Sequence, residues 1–264
     1  MAALAVSAAD AAWLARVPAL LEALRGPTPS SALRKTLRAL SAASSVARGV
    51  PNHPSAVDAL LSAGLVPLLL SLCVRGGDEA GTRLGTLPFK CLRHATRFRE
   101  AASDQLGLAG FCELLSVAER NAALAPEITS ILKCAASSLF VKAAMFGEAG
   151  SPTLRHLLSF VDRFPSGKLC EAVAKLLDTA PAASSQAFFE CGGVAWLDRS
   201  LRRCLSLAPD QVAAAGTLML ISRRLLETRD HRKAMQPLFL HFACALSLLL
   251  RLPMSDDLAR LAAC

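Results

Sequence analysis

The segment at residues 62–72, SAGLVPLLLSL, decides the fold because it joins the end of one helix to the start of the next. A short apolar run precedes Gly64, which stands where a left-handed cap would end a helix. The apolar residues over 65–74 predict a second helix, which we expect the glycine pair at 76–77 to end. A third helix is predicted over about 79–96, so three helices follow one another here.

This junction recurs along the chain with a period of 43 residues. Four of the five positions reached from residue 64 in steps of 43 are glycine, and the positions four and eight residues further on are all apolar. Such spacing puts the apolar residues on one face of a helix. The three columns are Gly64, Gly107, Gly150, Gly193 and Gln236; Leu68, Phe111, Leu154, Leu197 and Leu240; and Leu72, Leu115, Leu158, Leu201 and Cys244. The period predicts helical modules that bury their apolar faces by stacking on their neighbours.

Prolines mark the predicted helix starts. Pro126, Pro152, Pro209 and Pro237 each fall where a helix should begin, a position at which the missing N–H costs no hydrogen bond. Pro88 is the exception, because it falls inside the predicted third helix, where we expect a kink.

These residues resemble the armadillo repeat family. The family's first helix ends in Ala-Gly and its second reads like G-h-x-P-x-L-h-x-L-L, which residues 62–72 resemble. Residues 36–43, TLRALSAA, are similar to the family's third helix, and 17–24, 146–150 and 188–193 look like further parts of the unit. HEAT repeats, which pair two helices, and an unrelated helical bundle are the alternatives.

The resemblance covers nearly the whole chain. It implies an all-α fold, a right-handed α-solenoid of about six armadillo-type three-helix repeats with a period of about 43 residues. We expect a single repeat domain over 1–264. Its units are approximately 1–49, 50–96, 97–139, 140–182, 183–226 and an incomplete 227–264.

Composition predicts a folded helical chain in a reducing compartment. Of 264 residues 53% are hydrophobic and only 5% aromatic, which disfavours a β-sandwich. Nine cysteines without a CxxC pair favour reduced thiols, and hence a cytoplasmic or nuclear location. The acid-free, serine-rich stretch 23–57 is similar to an organelle transit peptide, so organelle import is an alternative to a basic helix. The longest apolar run, 238–250, is too short to span a membrane.

The resemblance also implies a binding groove. Armadillo proteins commonly bind extended segments along a concave groove lined by their third helices, and peptide-binding members place an asparagine near each third-helix end. None of the matching positions is asparagine, and the family's tryptophan four residues earlier is missing too, which argues against recognition in the style of nuclear-import receptors. The matching positions are Ala42, Cys91, Cys134, Leu176 and Leu220.

Lys90, Lys133 and Lys175 directly precede three of these positions. Stacked repeats would set their ammonium groups in a ladder suited to an acidic strand or helix. The alternative is three lysines whose stems cover apolar rims while their charges face water.

A second basic cluster lies between residues 199 and 233. Because an arginine fork grips carboxylates or phosphates at two points, we expect partner contacts there, above all at Arg202, Arg203, Arg223 and Arg224. An ordinary solvated face is the alternative. The cluster consists of Arg199, Arg202, Arg203, Arg223, Arg224, Arg229, Arg232 and Lys233.

No catalytic or cofactor motif is recognisable. The G-x-S-x-G, G-x-x-x-x-G-K-[ST], G-x-G-x-x-G and H-E-x-x-H patterns are absent, and no cysteine pair has ligand spacing. We therefore expect no catalytic residues, metal, cofactor or small-molecule substrate. The enzyme alternative is Cys91, three residues from His94, with Lys90 and Arg93 lowering the thiol pKa.

Together these patterns predict a non-catalytic scaffold or adaptor that binds another protein, through an acidic segment, along the third-helix groove. The formal net charge of +8 agrees with an acidic partner. The alternative is an adaptor to anionic surfaces, either nucleic acid or membrane, through the cluster at 199–233.

Overall fold

The computed structural model describes residues 8–26, 30–44, 46–47, 50–51, 53–78, 84–147, 150–177, 182–204, 209–226, 232–233, 235–239, 243–244 and 247. Over these residues the chain is all-α, as predicted, apart from one short ladder in which β1 (Val46–Ala47) pairs antiparallel with β2 (Val50–Pro51). The chain divides into two compact units, Met1–Ser138 and Leu139–Cys264.

The first unit contains eight α-helices among its described residues. They are α1 (Ala8–Leu14), α2 (Val17–Arg25), α3 (Ser30–Ser44), α4 (Pro54–Ser62), α5 (Leu65–Asp78), α6 (Leu87–Phe98), α7 (Glu100–Arg120) and α8 (Ala125–Ala135), with a 3₁₀ turn at Ala122–Leu124. The backbone of α7 breaks at Gly107, with φ 57° and ψ −169°, so its two halves serve as the first and second helices of a third module.

Equivalent helices of successive modules in the first unit contact one another. Helix α1 packs on α4, α2 on α5, α5 on α7, α3 on α6, and α6 on α8. Leu37, Leu92 and Phe111 are fully buried along these contacts. Since burying one such side chain stabilises the fold by about 1.5–3 kcal/mol, the stacked apolar stripes are the main source of stability. This translational stacking is the arrangement of a helical repeat.

The second unit repeats the pattern. Its described residues form α9 (Leu139–Phe146), α10 (Ser151–Arg163), α11 (Gly167–Leu177), α12 (Ala182–Glu190), α13 (Gly193–Cys204) and α14 (Pro209–Leu226), with a 3₁₀ turn at Gln236–Leu238. Helix α9 packs on α12, α10 on α13 and α11 on α14. The buried Trp196 meets Phe188 edge to face, with ring centroids 6.0 Å apart, which is a favourable aromatic geometry.

The glycine column works in two ways. Gly64 and Gly107 have φ of 87° and 57°, so the left-handed cap predicted at Gly64 is confirmed. In the second unit the positive φ of the α12–α13 junction lies one residue earlier, at Gly192. Gly193 is needed for space instead, because a Cβ there would run into the Phe188 ring, and a Cβ at Gly150 would run into the Met145 carbonyl.

Two helix boundaries differ from the prediction. The glycine pair at 76–77 lies inside the last turn of α5, which continues to Asp78. Each glycine weakens a helix by about 1 kcal/mol, and Leu72 and Cys73, which precede the pair in α5, are buried. Helix α6 begins at Leu87 rather than near residue 79, and residues 79–83 lie outside the described part of the chain.

The prediction of a kink at Pro88 is wrong, because α6 begins later than expected. Because α6 begins at Leu87, Pro88 lies in its first turn, where it removes no helical hydrogen bond. Pro126, Pro152 and Pro209 lie at the starts of α8, α10 and α14, as predicted, and Pro237 lies in the 3₁₀ turn.

Most of the unit predicted over 227–264 lies outside the described residues. The count of six repeats, the right-handed superhelix and the single domain stay predictions. Among the described residues no single helix is both long and apolar enough to cross a membrane, although two helix pairs bent at a break reach the required length together.

A candidate binding face on the third helices

The third helices of the first unit carry seven basic residues and one acidic residue. These helices, α3, α6 and α8, lie side by side, so their charges share one region of the unit. The basic residues are Arg34, Lys35, Arg38, Lys90, Arg93, Arg97 and Lys133, and the acidic residue is Glu127. We refer to this set of eight residues as the basic face.

The charges on α6 form a stripe. Lys90, Arg93 and Arg97 follow the i, i+3, i+7 spacing that places residues on one side of a helix. Arg97 is exposed, and Lys90 and Arg93 are partly exposed, whereas Phe89 and Leu92 on the other side are buried. Since α6 also contacts α5 and α7, the stripe points away from the first and second helices.

Helix α3 presents a similar stripe. Arg34, Lys35 and Arg38 are exposed, while Leu37 and Leu40 are buried against the rest of the unit. Helix α3 packs on α2 and α4, so its exposed side lies on the same side of the unit as that of α6. The sequence indicates these basic residues, because the stretch 23–57 has basic but no acidic residues. Only the packing shows that they lie on the exposed side of α3.

An ion pair crosses the basic face. Arg93 Nη1 donates to Glu127 Oε2 at 2.9 Å, which joins the middle of α6 to the first turn of α8. The two side chains keep 33% and 21% of their exposure, so the pair is partly buried and still open to solvent. A glutamate in the first turn of a helix is also stabilised by the helix dipole.

The ladder expected from Lys90, Lys133 and Lys175 stays a prediction. Lys90 is near the start of α6, whereas Lys133 is in the last turn of α8. Arg93 and Glu127, which are in contact, are 34 residues apart in the sequence, whereas Lys90 and Lys133 are 43 residues apart. Lys175 belongs to the second unit, in the last turn of α11.

Two arginines of the cluster at 199–233 bind within the second unit. Arg199 donates from Nε and Nη2 to Asp162 Oδ2 at 2.9 and 2.6 Å, and Arg203 Nη1 donates to Asp162 Oδ1 at 3.1 Å. Asp162 lies on α10 and both arginines on α13. These bonds therefore tie together second helices of successive modules, and a partner would have to replace Asp162 to bind either guanidinium in the same way.

The other members of that cluster are spread over several segments. Arg202 donates to Asp198 at 2.9 Å within α13, and Arg223 is exposed on α14. Arg232 donates to the Leu226 carbonyl at 2.9 Å, and Lys233 is exposed. The side chain of Arg224 and all of Arg229 lie outside the described part of the chain. A role in partner binding for Arg202, Arg203, Arg223 and Arg224 stays a prediction.

Cys91 has the surroundings of a packing residue. It is 2% exposed, and its Sγ donates to the Leu37 carbonyl at 3.2 Å. Burial raises the pKa of the Cys91 thiol to about 12, the opposite of the lowering that a nucleophile needs. Burial and the charge of Arg93 lower the pKa of His94, whose Nδ1 is buried without a hydrogen-bond partner.

Within the described residues, no three His, Cys, Asp or Glu side chains come together as a metal site would require. Seven cysteines form no disulfide: Cys73, Cys91, Cys112, Cys134, Cys170, Cys191 and Cys244.

Comparison with known proteins informs the fold. No family model matches the chain, and no curated protein matches it. Among solved structures, it is similar to an engineered protein, a target of the Northeast Structural Genomics Consortium, whose crystal structure superposes with a TM-score of 0.61 at 18% identity. The match covers 94% of this chain and 93% of that protein. Together with the module stacking, this likeness identifies the chain as an all-helical repeat protein of the solenoid type.

Proposed function

We propose that this chain is a non-catalytic interaction scaffold of the armadillo type, which binds an acidic polypeptide segment across the basic face. The observation that carries the proposal is the separation of charge within the first unit. Its third helices carry seven basic residues and one acidic residue, whereas its first and second helices carry eight acidic and three basic residues. Stacking of the modules requires apolar stripes but does not require any particular distribution of exposed charge, so stacking does not explain this separation.

The assignment to the armadillo type rests on the helix count of each module. Three helices per module, with a first helix of seven to nine residues in α1, α4, α9 and α12, fit armadillo repeats better than the two-helix HEAT unit. A right-handed superhelix is part of the same proposal.

The chemistry of the face favours carboxylates. Guanidinium groups such as those of Arg34 and Arg38 bind carboxylates through two parallel hydrogen bonds. Each exposed charge pair contributes little alone, so affinity comes from several pairs on neighbouring helices, and the summed potential accelerates association. Helix axes about 8–10 Å apart would let one segment meet all three helices in turn.

A polypeptide fits this face better than a single-stranded nucleic acid. Proteins that bind single strands combine basic grooves with aromatic side chains on which bases stack. No aromatic side chain is fully exposed on α3, α6 or α8 within the described residues: Phe89 is buried and Phe98 is partly covered.

The test uses a fluorescently labelled peptide of alternating Glu and Ser, with binding followed by anisotropy at low and physiological salt. The variant Arg34→Glu/Arg38→Glu/Arg97→Glu reverses three exposed charges of the basic face. We expect it to lose roughly tenfold or more in affinity, with wild-type binding weakening as salt rises. Single-stranded RNA and phosphatidylserine vesicles are measured in parallel.

A matched control keeps the same net charge. Arg155→Glu/Arg163→Glu/Lys168→Glu reverses three exposed charges of the second unit, and Arg163 lies over Phe164 much as Arg97 lies over Phe98. This control should stay within about threefold of wild type. Equal losses in the two variants would overturn the proposal. Binding of RNA or vesicles that survives in the face variant would instead favour the cluster at 199–233.

Thiol labelling tests the non-catalytic part of the proposal. With iodoacetamide at about pH 8, we expect the buried Cys73 and Cys91 to stay unmodified in the folded protein, because burial raises the pKa of both thiols. The partly exposed Cys112 and Cys134 are the internal controls. Rapid alkylation of Cys91 at neutral pH would contradict the proposal. A cytoplasmic or nuclear location, suggested by the free thiols, stays a prediction.

A further inference from the structure

Glu127 is the exception to the charge pattern of the basic face. It is the one acidic residue in α3, α6 and α8, and its carboxylate binds the central arginine of the α6 stripe, Arg93, at 2.9 Å. Arg93 lies between Lys90 and Arg97 in that stripe, so Glu127 neutralises charge where a ligand crossing all three helices would pass.

The fold has little need of this pair. Both side chains keep part of their exposure to solvent, and surface ion pairs contribute little net stability. The helix dipole at the start of α8 stabilises Glu127 whether or not Arg93 is bound. A carboxylate that arrives from outside can therefore take over the guanidinium without disturbing the packing of α6 on α8.

We infer that Glu127 is an internal competitor for the acidic partner, because its carboxylate already binds the Arg93 guanidinium that a partner carboxylate would bind. The competition sets a threshold, since a segment must carry enough acidic residues on either side of this point to displace Glu127. The inference rests on the proposed function, because it concerns the selectivity of the same face.

A double-mutant cycle tests this inference with the Glu/Ser peptide. Glu127→Gln frees Arg93 and removes a repelling charge, so we expect affinity to rise roughly threefold to tenfold, with the larger gain at low salt. Arg93→Gln should weaken binding. In the Arg93→Gln background the gain from Glu127→Gln should shrink, because the fork that it frees is gone.

Two controls separate competition from a general change of charge. Glu113→Gln removes an exposed acidic charge from the second half of α7, and we expect it to change affinity by less than about twofold. Glu127→Asp keeps the carboxylate and should stay closer to wild type than Glu127→Gln. Thermal melts of every variant establish that it is folded at the temperature of the binding assay.

The outcomes distinguish this inference from the proposed function. If the wild-type protein does not bind the peptide, the proposed function fails. If wild type binds and Glu127→Gln binds equally or more weakly, the proposed function stands and competition by Glu127 is refuted. A gain of the same size from Glu113→Gln would also refute it, because the effect would then be one of net charge.

Discussion

The two compact units are built from the same three-helix module, yet their third helices differ in charge. In the first unit α3, α6 and α8 carry seven basic residues and one acidic residue, whereas in the second α11 and α14 carry four basic and two acidic residues. In the second unit Arg199 and Arg203 lie on a second helix and bind Asp162. Stacking constrains the apolar positions in the same way in both units but does not constrain the exposed positions. The units can therefore differ in exposed charge, and so in the partners that they bind.

The glycine column shows a second difference between the units. Gly64 and Gly107 have positive φ and open space around the missing side chain. Gly150 and Gly193 lack positive φ, but a Cβ at either position would collide with a neighbour. One sequence column therefore satisfies two physical demands, backbone freedom in the first unit and close approach in the second.

The largest expected effect tests what the units share. Phe111→Ala in the first unit and Phe160→Ala in the second each empty a fully buried site, and each should lower the free energy of unfolding by about 3–5 kcal/mol. Urea denaturation measures the loss. Arg34→Glu, which changes an exposed charge, should change the free energy of unfolding by less than about 0.5 kcal/mol. If either substitution lowers the free energy of unfolding by less than about 1 kcal/mol, the two units do not share the same stabilising apolar packing.

The glycine substitutions should separate the two demands. Gly64→Ala forces a Cβ into a left-handed backbone and should cost about 1–2 kcal/mol, while Gly64→Asn should cost less because asparagine tolerates that region. At Gly193 the obstacle is the Phe188 ring, so Gly193→Asn should cost at least as much as Gly193→Ala. Melting temperatures of the four variants give the order, and the same order at both positions would contradict this account.

A smaller effect is expected for the ion pairs of the second unit. Asp162→Asn removes the carboxylate that binds Arg199 and Arg203, and it should cost about 1 kcal/mol at low salt and less in high salt. Asp198→Asn removes the carboxylate that binds Arg202 within α13 and should cost less than half as much. If Asp162→Asn stabilises the protein, the contacts between α10 and α13 do not depend on these bonds.

The smallest effect is a pH dependence in the first unit. Burial and Arg93 lower the pKa of His94 from 6.5, so the folded state favours neutral imidazole. The contribution of His94 to stability is therefore complete above about pH 6.5. It falls as the pH drops, because His94 takes up a proton more readily in the unfolded chain than in the folded one. His94→Gln should flatten the fall in unfolding free energy between about pH 7 and pH 5. An unchanged pH profile would assign the fall to other groups.

Much of the fold was predictable from particular residues. The column that contains Leu68 and Phe111, together with Gly64, identified the helices and the junction between them, because burial on one helix face imposes a local spacing. The start of α6 was not predictable, because Pro88 is equally compatible with a first turn and with an interior kink until its neighbours are placed.

The sequence by itself determined that the chain is helical and repetitive, since apolar stripes recur at fixed intervals and are buried when each module stacks on its neighbours. Only the tertiary structure decided which charges share a face and which are neutralised. Arg93 meets Glu127 across 34 residues, and Arg203 meets Asp162 across 41. The stacking of whole helices brings these partners together, so the sequence on either side of each residue does not predict the pairing.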